Sequence, residues 1–168
     1  MAVPLNLSRL ERLQLANQYL ILEKVDPNNE SEYAKLRLAI EHGFEFEIAI
    51  MADQRVLEPL SYQECEEVRE ILDMHIALYS AVERFGKDIA VALDQVGFEG
   101  FDGSREARQL AYVSYLLDTM DYFSELRNEN GYNSHVEMLP KYQRMLSFWK
   151  SSEDRVDLTA DDVKRILS

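Results

Sequence analysis

Four positions carry one helix-start signature, a hydroxyl residue followed three places later by an acid: Ser8 with Glu11, Ser61 with Glu64, Ser134 with Glu137 and Thr159 with Asp162. In such a capping box the hydroxyl accepts from the third helical N–H while the acid reaches back to the cap's own N–H, satisfying two donors that a helix end leaves orphaned. Spread along 168 residues, these signals predict an all-α fold, a single compact multi-helix bundle of about six to eight helices. That length favours one domain, 1–168, able to bury roughly 70% of the surface its unfolded form exposes.

The apolar periodicity supports the same division. The first helix should run from the Ser8 cap to about Val25, with Leu10, Leu13 and Leu20 on one side and Leu15, Tyr19 and Leu22 on another. At about 100° per residue, a helix that is apolar on two sides calls for burial on two sides, either at the centre of a bundle or in a subunit interface. Asp26-Pro27 restarts the chain, with Asp26 as cap and Pro27 at the first helical position. Tyr33, Leu36 and Ile40 form the next stripe, closed by Gly43. Phe44, Phe46, Ile48 and Ile50 alternate at the strand period, yet one short strand has nothing nearby to pair with, so a short helix or extended connector is expected, followed by a loop from Asp53 to Pro59.

A long helix follows Ser61, with Cys65, Val68, Leu72, His75, Tyr79 and Val82 at helical spacing and Gly86 at its close. Lys87 to Val96 is expected to form a short helix at best. Gly97, Gly100 and Gly103 mark a turn-rich loop, after which Asp102 or Ser104 caps a helix to about Leu126 with Ala107, Leu110, Val113 and Leu117 inward. Asn130-Gly131 breaks the chain again. The helix expected after Ser134 carries Met138, Tyr142, Met145 and Trp149, flanked by Leu139 and Leu146, with Pro140 limiting or kinking its first turn. Leu158 and Val163 make a hydrophobic staple around the Thr159 cap and pin a last helix, Ala160 to Leu167.

Composition narrows the functions open to such a chain. There are 31 acidic residues against 18 basic ones, a formal net charge of −13. Duplex binding depends on neutralising phosphates with Lys and Arg, and the chain shows no basic patch, so no nucleic-acid partner is expected. The densest charged run is acidic: Glu64, Glu66, Glu67, Glu70 and Asp73, relieved by Arg69. It reads as a solvated helix face, or as a docking face for a basic protein partner. The single cysteine, Cys65, allows no internal disulfide, and no apolar run approaches the roughly 20 residues of a membrane span. With no signal-peptide pattern in Met1-Ala2-Val3-Pro4-Leu5-Asn6, a cytoplasmic, unanchored protein is expected.

No catalytic, metal or cofactor signature stands out. His42, His75 and His135 occur without HExxH, CxxC or a Glu-x-x-His pair. Cys65 and His75 share a helix but lie about 15 Å apart along it and about 80° around it, so they cannot form a thiolate–imidazole pair. His75 on the apolar stripe reads as a core histidine bonded to a neighbour, and Cys65 as a small apolar residue. Asp118, Asp121 and Glu125 form an acid row that is expected to be solvated. The best place for a ligand is the glycine loop with the helix behind it. Gly100, Asp102 and Gly103 lead to Arg105, Glu106 and Arg108, where free N–H groups and two guanidinium groups could hold a phosphate or carboxylate. The competing reading is that Glu99, Asp102 and Glu106 pair with those arginines internally.

Leu15-Ala16-Asn17-Gln18-Tyr19, Asp26-Pro27, Gly100-Phe101-Asp102 leading into Glu106-Ala107-Arg108 and Tyr112-Val113, and Lys141-Tyr142-Gln143-Arg144-Met145-Leu146 with Trp149 together resemble the YfbU-like family of bacterial proteins. The resemblance implies an all-helical cytoplasmic protein that self-associates, and it brings no catalytic residue, cofactor or activity. The Lys87 to Val96 segment fits the family pattern least well. The matching blocks place Asn17, Gln18, Glu106, Arg108, Gln143 and Arg144 within apolar helices, which suggests a structural polar network among the first helix, the helix after the glycine loop and the tyrosine-bearing helix.

Two functions are therefore weighed. One is a non-enzymatic homo-oligomer acting through protein contacts in a regulatory or stress-related role, for which the two-sided first helix and nine tyrosines speak. The other is a small-anion binding protein or hydrolase built on the Gly97–Gly103 loop with Arg105 and Arg108.

Overall fold

Ser8 accepts from the backbone N–H of Glu11 at 3.3 Å while the Glu11 carboxylate takes the Ser8 N–H at 2.8 Å, and α1 (Arg9–Val25) begins there. The computed structural model describes residues 5–56, 59–128 and 131–168. Among them are seven α-helices, as the all-α reading requires: α1, α2 (Glu30–His42), α3 (Glu45–Arg55), α4 (Tyr62–Ile89), α5 (Ala107–Ser114), α6 (Leu139–Trp149) and α7 (Ala160–Leu167). None of the described helices is long and apolar enough to cross a membrane. The chain divides into two compact units, Met1–Glu58 and Pro59–Ser168.

In the first unit α1 and α2 lie against each other through Glu23, which is 6% exposed and accepts from Arg37 Nε at 2.6 Å, while Arg37 Nη1 donates to Glu41 at 2.8 Å. Asp26 serves the restart differently from a helix cap. Its carboxylate accepts from the Asn29 amide at 2.9 Å and the Tyr33 hydroxyl at 3.1 Å, and a 3₁₀ turn, Pro27–Asn29, leads into α2. The segment after Gly43 is helical from Glu45, with Phe44 just before the helix. Ile48 and Ala49 of α3 face inward while Phe44, just before it, and Phe46 stand 55% and 71% exposed, so the period-2 pattern came from two phenylalanines that do not enter the core. The helix continues through Asp53–Arg55, where a loop was expected, and Leu57 and Glu58 lie outside the described residues. The core of this unit is thin: Ala16, Ile40 and Ile48, with Leu7, Leu15, Tyr19 and Met51 against it.

The second unit is built on α4, whose Ser61 capping box forms as expected. The buried row Val68, Ile71, Leu72, His75, Leu78, Ala81 and Val82 meets Tyr142, Met145, Leu146 and Trp149 of α6 and Val163 and Ile166 of α7. Gly86 does not close α4. The helix runs three residues further, to Ala90 in the left-handed conformation, and glycine is required at 86 because a Cβ there would lie 2.6 Å from the Val91 carbonyl oxygen. Leu93–Val96 forms a single 3₁₀ turn. Tyr79, expected inward, is 36% exposed.

The expected helix to Leu126 ends early. α5 widens into a π-helical turn, Tyr115–Thr119, and Asp121 and Phe123 then take positive φ of 58° and 55°. Arg127 reaches back to this segment, donating from Nε and Nη2 to the Leu117 carbonyl at 2.9 and 2.6 Å and pairing with Asp121 at 2.7 Å. Asp118 accepts from the Tyr132 hydroxyl at 2.8 Å, so Asp118, Asp121 and Glu125 are not one helical acid row. Gly131 has a positive φ of 78°, and Asn130 lies outside the described residues. The Leu158 and Val163 staple is buried at the Thr159 capping box, and α7 spans the expected residues.

Candidate functional site

The glycine loop and the segment before α6 are bound together by the backbone. Phe101 N donates to the Tyr132 carbonyl at 2.9 Å and Ser134 N to the Phe101 carbonyl at 3.2 Å, forming an isolated parallel bridge between Phe101 and Asn133. Gly100 is required for this approach: its φ is +93°, and a Cβ there would lie 1.8 Å from the Tyr132 carbonyl oxygen. Phe101 is fully buried against Tyr142 and Phe98, and the Tyr142 hydroxyl donates to the Gly100 carbonyl and accepts the Glu99 N–H, both at 3.2 Å. Burial pushes the Tyr142 phenol well above its ordinary range.

Glu106 is the centre of the arrangement. It is 2% exposed, and its carboxylate accepts from Asp102 N at 2.8 Å, Met138 N at 2.9 Å and Leu139 N at 2.7 Å. A carboxylate delivered from 32 residues away thus caps the N-terminus of α6, where unpaired N–H groups and the helix dipole favour negative charge. The predicted Ser134–Glu137 cap is not used. The Ser134 hydroxyl donates to the Val136 carbonyl at 2.6 Å, Glu137 turns to Arg105, and α6 starts at Leu139 with Pro140 in its first turn. Asp102 does not cap α5 either; its Oδ1 accepts from Ser104 N at 2.8 Å and Arg105 N at 2.7 Å in the turn before that helix.

The two arginines are engaged, though not by the acids expected. Arg105 meets Glu137 at 3.3 Å on the surface, and Arg108 donates to the Pro59 carbonyl at 2.9 Å and meets Glu64 at 3.4 Å. Glu99 pairs with Lys141 at 2.6 Å. Gly103 N donates to Asn133 Oδ1 at 3.0 Å, so the N–H groups of residues 101 to 105 are all used within the chain. A shallow cleft of about 430 Å³ does lie beside this turn, lined by Asp102, Ser104, Arg105, His135, Val136 and Glu137, but it presents two carboxylates along with the Arg105 guanidinium. The geometry is that of a clasp between two chain segments, with its backbone donors spent on its own carboxylates, a carbonyl and the Asn133 amide rather than held open for an anion.

Of the six residues suggested for a polar network, Glu106 alone is buried. Arg108 is half-buried, and Asn17, Gln18, Gln143 and Arg144 are exposed. Gln143 donates to Glu67 at 3.0 Å on the surface, and the bonds of Glu106 go to backbone N–H groups, so these side chains do not make one buried network. Sequence reasoning missed Tyr132 and Asn133, the other half of the clasp, because nothing in a short polar segment marks it as the partner of a loop 30 residues earlier. The acidic run on α4 is largely occupied as well: Glu64 completes the Ser61 cap, Glu67 takes Gln143, Glu70 meets Lys150 at 2.5 Å, and Arg69 lies over the Tyr122 and Phe123 rings.

His75 is a core residue, as expected. It is 2% exposed, with Nδ1 2.9 Å from the Val96 carbonyl and the Phe98 and Tyr142 rings edge-on to it. Burial pushes its pKa down to about 4, against the opposing pull of the Val96 bond. Among the described residues no group of three or more His, Cys, Asp and Glu side chains is placed to hold a metal ion.

These features define an all-α protein whose most conspicuous polar cluster is a structural clasp. The chain matches the YfbU domain family over residues 5–168, and it belongs to that family.

Proposed function

We propose that this protein is a non-enzymatic, cytoplasmic helical protein that assembles with itself and works through protein contacts made by the first unit. The observation that carries the reading is the outer face of α1, where Leu10, Leu13, Leu20 and Ile21 stand 64%, 58%, 44% and 60% exposed. Among the described residues, eleven of the nineteen large apolar side chains that face solvent lie in the first unit, although it is the shorter of the two. Contiguous apolar exposure of this kind marks protein contact surfaces, and a unit with so thin a core gains stability from covering it.

Size-exclusion chromatography with light scattering tests the reading. The native chain should run at a multiple of its 19.6 kDa mass at micromolar concentration, and the double variant Leu13→Glu, Leu20→Glu should run as a monomer. A native protein that stays monomeric at tens of micromolar overturns it. The small-anion reading has the spent donors of the glycine loop and the two carboxylates of its cleft against it.

A further inference from the structure

The exposed residues of α1 follow a register of their own. Leu10, Leu13, Asn17, Leu20 and Lys24 are spaced three, four, three and four apart, which is the a/d seam of a heptad repeat, and all five side chains face solvent. The inward face of the same helix is a separate set, Leu15, Ala16, Tyr19 and Glu23. Beside the seam is an unfilled cleft of about 250 Å³, bounded by Arg9, Arg12, Leu13, Ala16 and Asn17 of α1 and Glu41 of α2. Three of these, Leu13, Ala16 and Asn17, belong with Leu20 to the set at i, i+3, i+4 and i+7 that forms a hole of this seam, into which a coiled-coil knob from a facing helix inserts.

We propose that the occupant of this face is α1 of a second copy, the two helices running parallel and in register as a short two-stranded coil with the Asn17 side chains facing each other. The proposal rests on the self-association reading and specifies its partner and geometry. Three features argue for it. First, α1 carries three bases, Arg9, Arg12 and Lys24, against two acids, Glu11 and Glu23, in a chain of net charge −13, so two copies of this helix approach without the repulsion that the rest of the surface would impose. Second, the helix is formed before it meets a partner, held by the Ser8 capping box and the Glu23–Arg37 bond, so association does not have to pay for nucleating it. Third, the asparagine selects the direction. In a parallel pair a residues face a residues, and the two Asn17 amides satisfy one another. In an antiparallel pair Asn17 would face a leucine at d and lose its partner on burial. Lys24, at the last a position, extends its ammonium past the end of the seam.

The test uses the full chain with Cys65→Ser, so that the native thiol does not compete. Leu10→Cys and Leu20→Cys are each prepared singly and exposed to oxidised glutathione, alone and as a mixture. Parallel pairing gives covalent dimers in each single variant and no excess of mixed dimers beyond random exchange. Asn17→Leu should hold together to roughly tenfold lower concentration than the native chain while gaining trimers or larger species in light scattering. A native chain that self-associates but whose two cysteine variants cross-link only to each other, or not at all, overturns this geometry and leaves self-association standing. A native chain that is monomeric overturns both.

Discussion

Lowering the pH should destabilise the second unit through one side chain, His75. Its Nδ1 lies 2.9 Å from a carbonyl oxygen, which can only accept, so that nitrogen carries the proton of the neutral ring. Nε2 is buried without a hydrogen-bond partner, and a second proton would place an unsolvated charge among Phe98 and Tyr142. Burial accordingly drives the pKa down to about 4, whereas an unfolded histidine titrates near 6.5. Between those values the unfolded chain binds more protons than the folded one, so stability rises with pH across that window. The contribution is fully present above about pH 6.5 and is lost as pH falls toward about 4. At about 1.36 kcal/mol per pH unit the limiting loss is about 3.4 kcal/mol, of which about 2.5 kcal/mol is felt at pH 4.5. Carboxylates titrate in the same range, so the informative quantity is a difference between proteins. His75→Asn keeps an N–H for the Val96 carbonyl and removes the titrating nitrogen. Urea unfolding followed by the fluorescence of Trp149, the one tryptophan of the chain and 6% exposed, reports on the second unit. Between pH 7.5 and 4.5 the native protein should lose about 2.5 kcal/mol more than the variant, whatever the variant's absolute stability. Equal losses would refute the assignment of a neutral, proton-excluding His75.

Two further outcomes follow from the capping geometry. Glu106→Gln keeps the size of the side chain but sets an amide nitrogen against a backbone donor, and should lower the urea-derived stability by about 2–3 kcal/mol; a change under about 0.5 kcal/mol would remove Glu106 as the cap of α6. Thr159→Ala should cost about 1 kcal/mol and speed amide exchange in α7, whereas Ser134→Ala should stay within about 0.5 kcal/mol, because its hydroxyl serves no helix N-terminus.

The contrast between Thr159 and Ser134 shows what could be read in the chain and what could not. Three of the four capping boxes form, because the box is complete within four residues and needs nothing from the rest of the molecule. The fourth was pre-empted from a distance. Once Glu106 presents a carboxylate to the N–H groups of Met138 and Leu139, and Pro140 occupies the first turn, α6 starts five residues after Ser134. The early end of the helix after the glycine loop was hidden for a similar reason. No glycine or proline lies between Ala107 and Arg127 to announce it, and the π turn is stabilised by the Arg127 guanidinium returning to the Leu117 carbonyl. At the candidate site the glycines were legible as a turn, but their use was not. Whether Gly100 frees the backbone for a ligand or for Tyr132 depends on a segment 30 residues away.

The two units dispose of their polar and apolar groups in opposite ways, and this asymmetry bears on function more than any single motif. In the second unit the polar side chains of the clasp, Glu106, Asp102 and Tyr142, are turned inward and satisfied. Glu106 holds three backbone donors, Asp102 holds two more, and the Tyr142 hydroxyl both donates to and accepts from the loop beneath it. An ionised side chain so fully partnered is expensive to disturb and poorly suited to bind a ligand that comes and goes. In the first unit the partly buried ion pair of Glu23 and Arg37 fixes α1 on α2, and the leucines on the opposite side of α1 are left in water. On the proposed self-association, a helix held by one face with an apolar seam and a single amide on the other meets its partner already formed. Asn17, taken from sequence as a member of an internal network, stands exposed on that seam, and under the proposed pairing it is the residue that decides what the seam accepts.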